Sequence, residues 1–367
     1  MEKLRHLDTF TGYGGFTISA QKLGWETVGF SEIDKYASAI LKYNFSNIKN
    51  YGNISDIDFR QFRGEIDIIT GGTPCQDLSV AGKGKGLEGE RSGLFFEFIR
   101  AVTESEATYF VWENVKGALW SNKGWDFARV QIEMEQAGYD VWWQVINAKD
   151  FGVPQNRERI FAIGIRKGSG REILFEQRGS GKDINKIVDT GHDGTNIFNP
   201  DGTGVTLKAN GGGQGAKTGL YAIPNSNGNV HSLDANYWKG SNNPNKSRRS
   251  QIAVREATKK GYAVAEEGDS INLSVPNSKT RRGRVGKGVA QTLDTASNQA
   301  TLEGMRIRRL TPTECERLMG LEDNWTAKGI MDGEEVEISD TQRYKMCGNG
   351  VVVNCVDYIY KIIKDNK

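Results

Sequence analysis

The chain of 367 residues is poor in the residues that would mark several common protein classes. It has four cysteines (Cys75, Cys315, Cys347 and Cys355), and none forms a CxxC pair. Its three histidines, His6, His192 and His231, stand apart from one another. A disulfide framework and a structural zinc or iron–sulfur site are therefore not expected, and no metal is. No apolar run approaches membrane-spanning length, and Met1-Glu2-Lys3-Leu4-Arg5-His6 leads into core-like sequence without a signal-peptide stretch. The expectation is a cytosolic protein with no membrane partner. A formal net charge of +2 names no partner either, so the local distribution of charge has to. The glycine-rich stretch of residues 11–16, after the first apolar run, does not complete the GxGxxG pattern of a dinucleotide fold.

What the chain does have is a folded composition, 37% apolar and 26% charged, with 45 glycines as the outlier. That length suits one large domain or two moderate ones. Residues 4–10 read as a strand, followed by Thr11-Gly12-Tyr13-Gly14-Gly15-Phe16 and a helical pattern ending at Gly24. Strand, glycine turn and helix present free backbone N–H groups to a ligand, although a tight turn alone would look the same. A second strand over residues 26–31 ends at Glu32, 20 residues beyond Gly12. A carboxylate there either accepts both hydroxyls of a ribose or is merely the acid opening the helix of residues 35–43. With no pyrophosphate fingerprint, the pair favours a cofactor that carries adenosine without phosphates.

Ile66-Asp67-Ile68-Ile69 reads as a buried strand, and Gly71-Gly72-Thr73-Pro74-Cys75-Gln76 follows it. Open α/β sheets carry their chemistry at strand carboxyl ends. Cys75 is thus a candidate nucleophile, with a buried inert thiol as the plain alternative. Tyr109-Phe110-Val111-Trp112 is another short strand, and Glu113-Asn114-Val115 comes next. A glutamate there is either a helix-capping surface residue or a partly buried acid with a raised pKa, which can protonate a heteroaromatic ring while a thiolate attacks it. In Gln155-Asn156-Arg157-Glu158-Arg159 the two arginines share one side of an extended segment. They hold a phosphate, a base carbonyl or a carboxylate, unless they form ordinary surface ion pairs. Helices over residues 94–102 and 125–137 and strands over 139–147 and 160–165 continue the alternation. It predicts a parallel-rich α/β sheet with helices on both faces.

Residues 79–92 are glycine-rich and carry Lys83, Lys85 and Arg91. They suit a loop closing over a polyanion or an ordinary surface loop. Residues 174–303 break the rhythm, with ten glycines between 179 and 215. Short apolar marks at 205–207, 220–223, 252–254 and 271–275 favour a smaller domain of short strands over a linker. Residues 246–306 hold twelve Lys or Arg against six Asp or Glu, in knots that include Arg248, Arg249, Arg281, Arg282 and Arg284. These knots suit either a solvated face or contact with phosphates. Helices are expected over 313–319, 339–347 and 351–363, with Cys315 and Cys355 in the core.

Taken together, the motifs resemble those of the DNA (cytosine-5) methyltransferases of bacteria and their phages. The resemblance rests on Asp8-Thr9-Phe10-Thr11-Gly12-Tyr13-Gly14-Gly15-Phe16, Gly72-Thr73-Pro74-Cys75-Gln76, Glu113-Asn114-Val115 and Gln155-Asn156-Arg157-Glu158-Arg159. Arg309-Leu310-Thr311-Pro312-Thr313-Glu314-Cys315 and Gly348-Asn349-Gly350-Val351-Val352 complete it, in the family's order, over residues 4–173 and 304–364. It implies a Rossmann-like S-adenosylmethionine-dependent fold in two pieces, 1–173 and 304–367, around a target recognition domain at 174–303. It implies sequence-specific methyl transfer to carbon 5 of a flipped cytosine in duplex DNA, with S-adenosylhomocysteine as product.

By resemblance Cys75 is the nucleophile, Glu113 the acid at ring nitrogen 3, and Arg157 and Arg159 the arginines that orient the base. Phe10, Gly12, Tyr13, Gly15, Glu32, Ile33, Asn53, Ile54, Gly72, Pro74, Leu94, Asn349 and Val351 fall on cofactor-lining positions. Gln76, Ser79, Lys83, Lys85 and Arg91, with the arginines of the two knots, are expected at the DNA. Three positions depart from the family pattern: Asn53 replaces an aspartate, Ile33 an aromatic found in some members, and Gly350 a frequent serine. The expected protein acts as a monomer near the nucleoid, with a cognate restriction endonuclease as a separate partner. An RNA cytosine-5 methyltransferase and an inactive DNA-binding protein are the alternatives.

Overall fold

A computed structural model describes residues 3–74, 93–169, 220–222, 251–275, 278, 280–296, 298–303 and 306–365. The first part of the chain runs β1 (Arg5–Thr9), α1 (Gly15–Lys22), β2 (Glu26–Ser31), α2 (Lys35–Asn44), β3 (Ile68–Gly72), α3 (Gly93–Ser105), β4 (Tyr109–Val115), α4 (Trp125–Gln136), β5 (Tyr139–Asn147), β6 (Gln155–Asn156) and β7 (Glu158–Arg166). Six of these strands form one sheet in the order β2-β1-β3-β4-β7-β5. β2, β1, β3 and β4 are parallel, and β7 runs antiparallel to both of its neighbours.

Period-two alternation sets the layers on either side. Ile68, Tyr109, Val111, Phe161 and Ile163 point into one apolar cluster, shared with Phe16 and Ala20 of α1. Ile69, Phe110, Trp112, Ile160 and Ala162 point into the other, shared with Phe95 and Phe98 of α3 and Val130 of α4. Nearly every one of these side chains is fully buried, which is what a sheet covered on both faces requires.

The inserted part contributes β8 (Leu220–Ala222), β9 (Gln251–Arg255), β10 (Tyr262–Glu266), β11 (Ser270–Asn272), β12 (Val285–Gly286), β13 (Ala290–Gln291), β14 (Gln299–Glu303) and β15 (Arg306–Arg309). β10-β9-β8 form one sheet and β12-β11-β14-β15 another, around a small core of Ile252, Val254, Ala265, Ile271 and Leu302. The expected boundary at 303/304 falls inside the β14–β15 hairpin. β13 leaves these sheets and pairs in parallel with β6 of the first part of the chain.

The return supplies α5 (Pro312–Leu318), a hairpin of β16 (Lys328–Met331) and β17 (Glu334–Glu337), α6 (Asp340–Asn349) and α7 (Val353–Asp365). Pro312 starts α5 behind a capping box of Thr311 and Glu314, so the helix begins where its sequence places it. The apolar stripe of α7, including Val356, Ile359 and Ile363, packs into the same cluster as α1. Tyr360 stacks on Trp25 with ring centroids 4.7 Å apart, and Lys22 pairs with Asp357 at 2.8 Å. Cys315 and Cys355 are buried, as expected, and Cys347 with them.

Under α7 the sheet carries a polar network that the sequence did not announce. His6 lies between the hydroxyls of Thr27 (3.0 Å) and Thr70 (2.8 Å), and Thr17 donates to Asp8 at 2.8 Å. Burial pushes the Asp8 carboxyl up to about 8 and holds the His6 imidazole near 3.

Candidate active site

The glycine turn between β1 and α1 needs left-handed backbone. Gly12 (φ 58°) and Gly14 (φ 91°) adopt it freely, but Phe10 adopts it at φ 53° with a full side chain. Such a residue costs on the order of 1 kcal/mol, and strain of this kind gathers at functional sites. Glu32 closes the turn from β2: its Oε2 accepts the Gly12 N–H at 2.7 Å and its Oε1 the Asp34 N–H at 2.8 Å. The helix cap is Asp34, which accepts from Tyr36 and Ala37. Glu32 is thus released from the helix-opening role and faces the turn. Burial raises its pKa against the backbone N–H groups that lower it.

Ile33, 74% exposed, offers an apolar face beside that carboxylate. A side chain at Gly12 would meet nothing within 4 Å. A fixed carboxylate, an apolar face and open room over backbone N–H groups fit an adenosine-bearing cofactor. The Asn53 side-chain oxygen caps the turn of residues 54–56 by accepting from Ser55, and its second lone pair is left for an amino group. Ile54 is buried, Leu94 and Phe10 are partly buried, and Pro74 and Asn349 are exposed.

Tyr13 is turned inward, which its expected place among cofactor-lining residues did not foresee. The ring is buried, its hydroxyl donates to the Val351 carbonyl at 2.5 Å, and its own carbonyl accepts from the Trp325 indole at 3.0 Å. A Cβ at Gly350 would overlap the Tyr13 ring, and one at Gly15 would come within 2.7 Å of Val351 Cγ1. The glycine at 350 is therefore the counterpart of Tyr13. Gly350→Ser should lower the unfolding free energy by roughly 1–3 kcal/mol, the cost of overpacking. In a Tyr13→Ala background the same change should cost much less, as thermal melts of the four proteins would show.

The second half of the site lies at the carboxyl ends of β3 and β4. Glu113 occupies the strand itself and faces Gly72 in register. A Cβ on Gly72 would sit 2.9 Å from Glu113 Oε2, so this glycine makes room for the carboxyl group. On the other side Arg159 Nε is 3.1 Å from Glu113 Oε1. Burial raises the Glu113 pKa, and the arginines Arg159 and Arg157 pull it back only in part. The result is a buried acid aligned by a guanidinium and held beside the segment that leads to Cys75. That segment is fixed from β4: Trp112 donates to the Thr73 hydroxyl at 2.9 Å, and Asn114 donates to the Thr73 carbonyl at 3.3 Å. Trp112 and Asn114 were not foreseen as positioning groups; the asparagine beside Glu113 was the available signal.

Arg157 is hydrogen-bonded to backbone carbonyls and makes no ion pair with Glu113. It lies between β6 and β7, where strand parity does not apply, and it is 1% exposed. Its Nη2 donates to the carbonyls of Gly350 (2.6 Å) and Gly348 (3.0 Å), and its Nη1 to that of Leu293 (3.4 Å). Burial, with Arg159 nearby, pushes its pKa down to about 9. Arg284 departs from expectation in the same way. Its guanidinium is buried among strands and donates to the carbonyls of Asn272 (3.0 Å) and Arg255 (3.1 Å). Arg281 and Arg282 remain toward the surface, although Arg282 spends one donor on the Ala257 carbonyl. Cys75, Gln76, Ser79, Lys83, Lys85, Arg91, Arg248 and Arg249 lie outside the described residues.

A family model for C-5 cytosine-specific DNA methylases matches residues 4–365. An orphan methyltransferase of Bacillus phage SPR, M.SPRI, is 29% identical, with 98% of this chain and 97% of that one aligned. A type II methyltransferase of Neisseria gonorrhoeae, M.NgoPII, is 30% identical over 98% of this chain and 95% of its own. Among solved structures, a DNA modification methyltransferase encoded within an E. coli prophage superposes with a TM-score of 0.61, over 99% of both chains at 20% identity. That likeness bears on the fold alone. The family match runs through the glycine turn, the Glu113 strand, the inserted sheets and the returning helices. The chain therefore belongs to the C-5 cytosine-specific DNA methylase family and is a DNA cytosine-5 methyltransferase with S-adenosylmethionine as methyl donor.

Proposed function

We propose that the enzyme acts on a cytosine extruded from duplex DNA through a covalent bond between Cys75 and carbon 6 of the base. The observation that carries this reading is the buried Glu113 carboxyl, aligned by Arg159 and set against Gly72 at the start of the cysteine loop. Carbon 5 of cytosine is a poor nucleophile, and its reactive atoms are hidden in the stack, so the base has to leave the helix. Addition of the Cys75 sulfur to carbon 6 makes carbon 5 enamine-like. Glu113, with its pKa raised, donates to ring nitrogen 3 and stabilises the charge that the addition develops. Arg159 holds that carboxyl in its plane and offers its remaining donors to the base carbonyl. The bound S-adenosylmethionine supplies an electrophilic methyl group. Loss of the carbon 5 proton then allows the carbon–sulfur bond to break, freeing Cys75.

For the cofactor, the residues proposed are the backbone of Phe10, Gly12 and Gly15 and the carboxylate of Glu32, with Ile33 and Asn53 at the adenine. Ile54, Gly72, Pro74, Leu94, Asn349 and Val351 surround the rest. Tyr13 supports this site from below. Arg281 and Arg282, with the basic residues of the cysteine loop, are proposed at the phosphates. The enzyme is proposed to act as a monomer in the cytoplasm. Bisulfite sequencing of a plasmid from an expressing host tests the activity and gives its target. The expected outcome is protection of cytosine at one short recurring sequence, absent with empty vector. Uniform conversion, together with methylation of transfer RNA in vitro, would transfer the reading to RNA.

A further inference from the structure

We propose that Arg157 is a positioning residue that couples target recognition to cofactor binding, rather than a contact to the flipped base. The proposal rests on the function given above and extends it. Its starting point is where three pieces of chain meet. The stretch between β12 and β14 of the inserted sheet docks on β6: β13 pairs with it, Thr292 Oγ1 donates to the Asn156 carbonyl at 2.9 Å, and Leu293 N–H donates to Gln155 Oε1 at 3.2 Å. The same segment then lies against the turn of residues 348–351. A Cβ at Gly348 would come within 2.7 Å of the Asp294 carbonyl carbon and the Thr295 nitrogen. On its far side the turn meets the glycine turn through Tyr13 and Gly15.

Arg157 sits at the junction. One guanidinium takes the Leu293 carbonyl from the β12–β14 connection of the inserted sheet and the Gly348 and Gly350 carbonyls from the cofactor side. Its backbone N–H is bound in turn by Asn147 Oδ1 at 3.1 Å. No carboxylate pairs with it within salt-bridge distance among the described residues, so its partners are backbone carbonyls of two ligand-binding parts. A planar fork with several donors can bridge two backbones at fixed separation, which a lysine ammonium cannot do. Moving the β12–β14 connection on DNA engagement therefore moves the 348–351 turn, or is resisted by it. Coupling through such a contact is reciprocal, so DNA should tighten the cofactor site as much as the cofactor tightens DNA.

The test measures S-adenosylhomocysteine affinity of the full chain with and without saturating sheared genomic DNA from a host lacking cytosine methylation. Wild type should bind more tightly with DNA. Arg157→Lys should reduce that tightening by roughly fivefold or more while changing the affinity without DNA much less. Thr292→Val removes a single hydrogen bond at the same junction and should fold normally. It should reduce the tightening by about twofold to threefold. A purely structural Arg157 would weaken both affinities by the same factor, and that result in a folded variant overturns the proposal. So does a Thr292→Val protein with full wild-type tightening. A wild-type chain that methylates DNA yet shows no tightening overturns the coupling alone. One that neither binds nor methylates DNA overturns the functional reading, and this proposal with it.

Discussion

Cys75→Ala should reduce methyl transfer by about four orders of magnitude or more, the scale on which covalent catalysts respond to loss of their nucleophile. In the proposed mechanism a sulfur–carbon bond is what turns carbon 5 into a nucleophile. DNA carrying 5-fluorocytosine makes the same point without kinetics. Fluorine leaves no proton to remove from carbon 5, so elimination stalls and the chain stays attached to the base. Denaturing gels of the wild-type chain with this DNA and S-adenosylmethionine should show a protein–DNA band, and Cys75→Ala should show none. A band of equal strength from the variant would assign the nucleophile elsewhere.

Glu113→Gln should lower kcat by roughly 10²- to 10³-fold, the range associated with a positioned acid and its hydrogen bond to developing charge. The amide is nearly the same size and fits the space left by Gly72, so fold and S-adenosylhomocysteine affinity should stay close to wild type. The pH profile separates loss of the acid from loss of shape. Burial raises the Glu113 pKa, so its proton is present below that raised value and is lost as pH rises through it. The wild-type rate should therefore fall on the alkaline side, and Glu113→Gln should lose that limb. Full turnover in the variant would remove Glu113 from the chemistry.

Much of the catalytic half was legible because period-two alternation and short glycine turns leave marks in a linear sequence. Ile68-Ile69 and Tyr109 to Trp112 announced strands because both faces of the sheet are covered. Glu32 stood in the sequence as either a ribose acceptor or a helix opener. The choice depended on its neighbour Asp34, whose side chain turned out to take the cap. Arg157 and Arg284 were misplaced for a common reason. An arginine that satisfies distant carbonyls has the same letter as one that meets phosphate, and only the fold brings Leu293, Gly348 and Gly350 to one point. Gly350 looked like a departure from pattern, and its cause, the Tyr13 ring, lies far away in the chain. In the insert, β9 and β11 showed as short apolar marks, but strands of two residues, such as β12 and β13, have too few side chains to show a period.

The packing of α7 on α1 and Trp25 has a consequence for synthesis of the protein. The face of the sheet beneath the cofactor turn is left uncovered until a segment translated after the whole recognition insert arrives. Nascent chains therefore hold apolar surface open while the ribosome makes the insert, an interval in which such surface favours aggregation. A ribosome that stalls in the insert leaves a product with no means of modifying DNA. The cell thus meets this activity only as finished molecules.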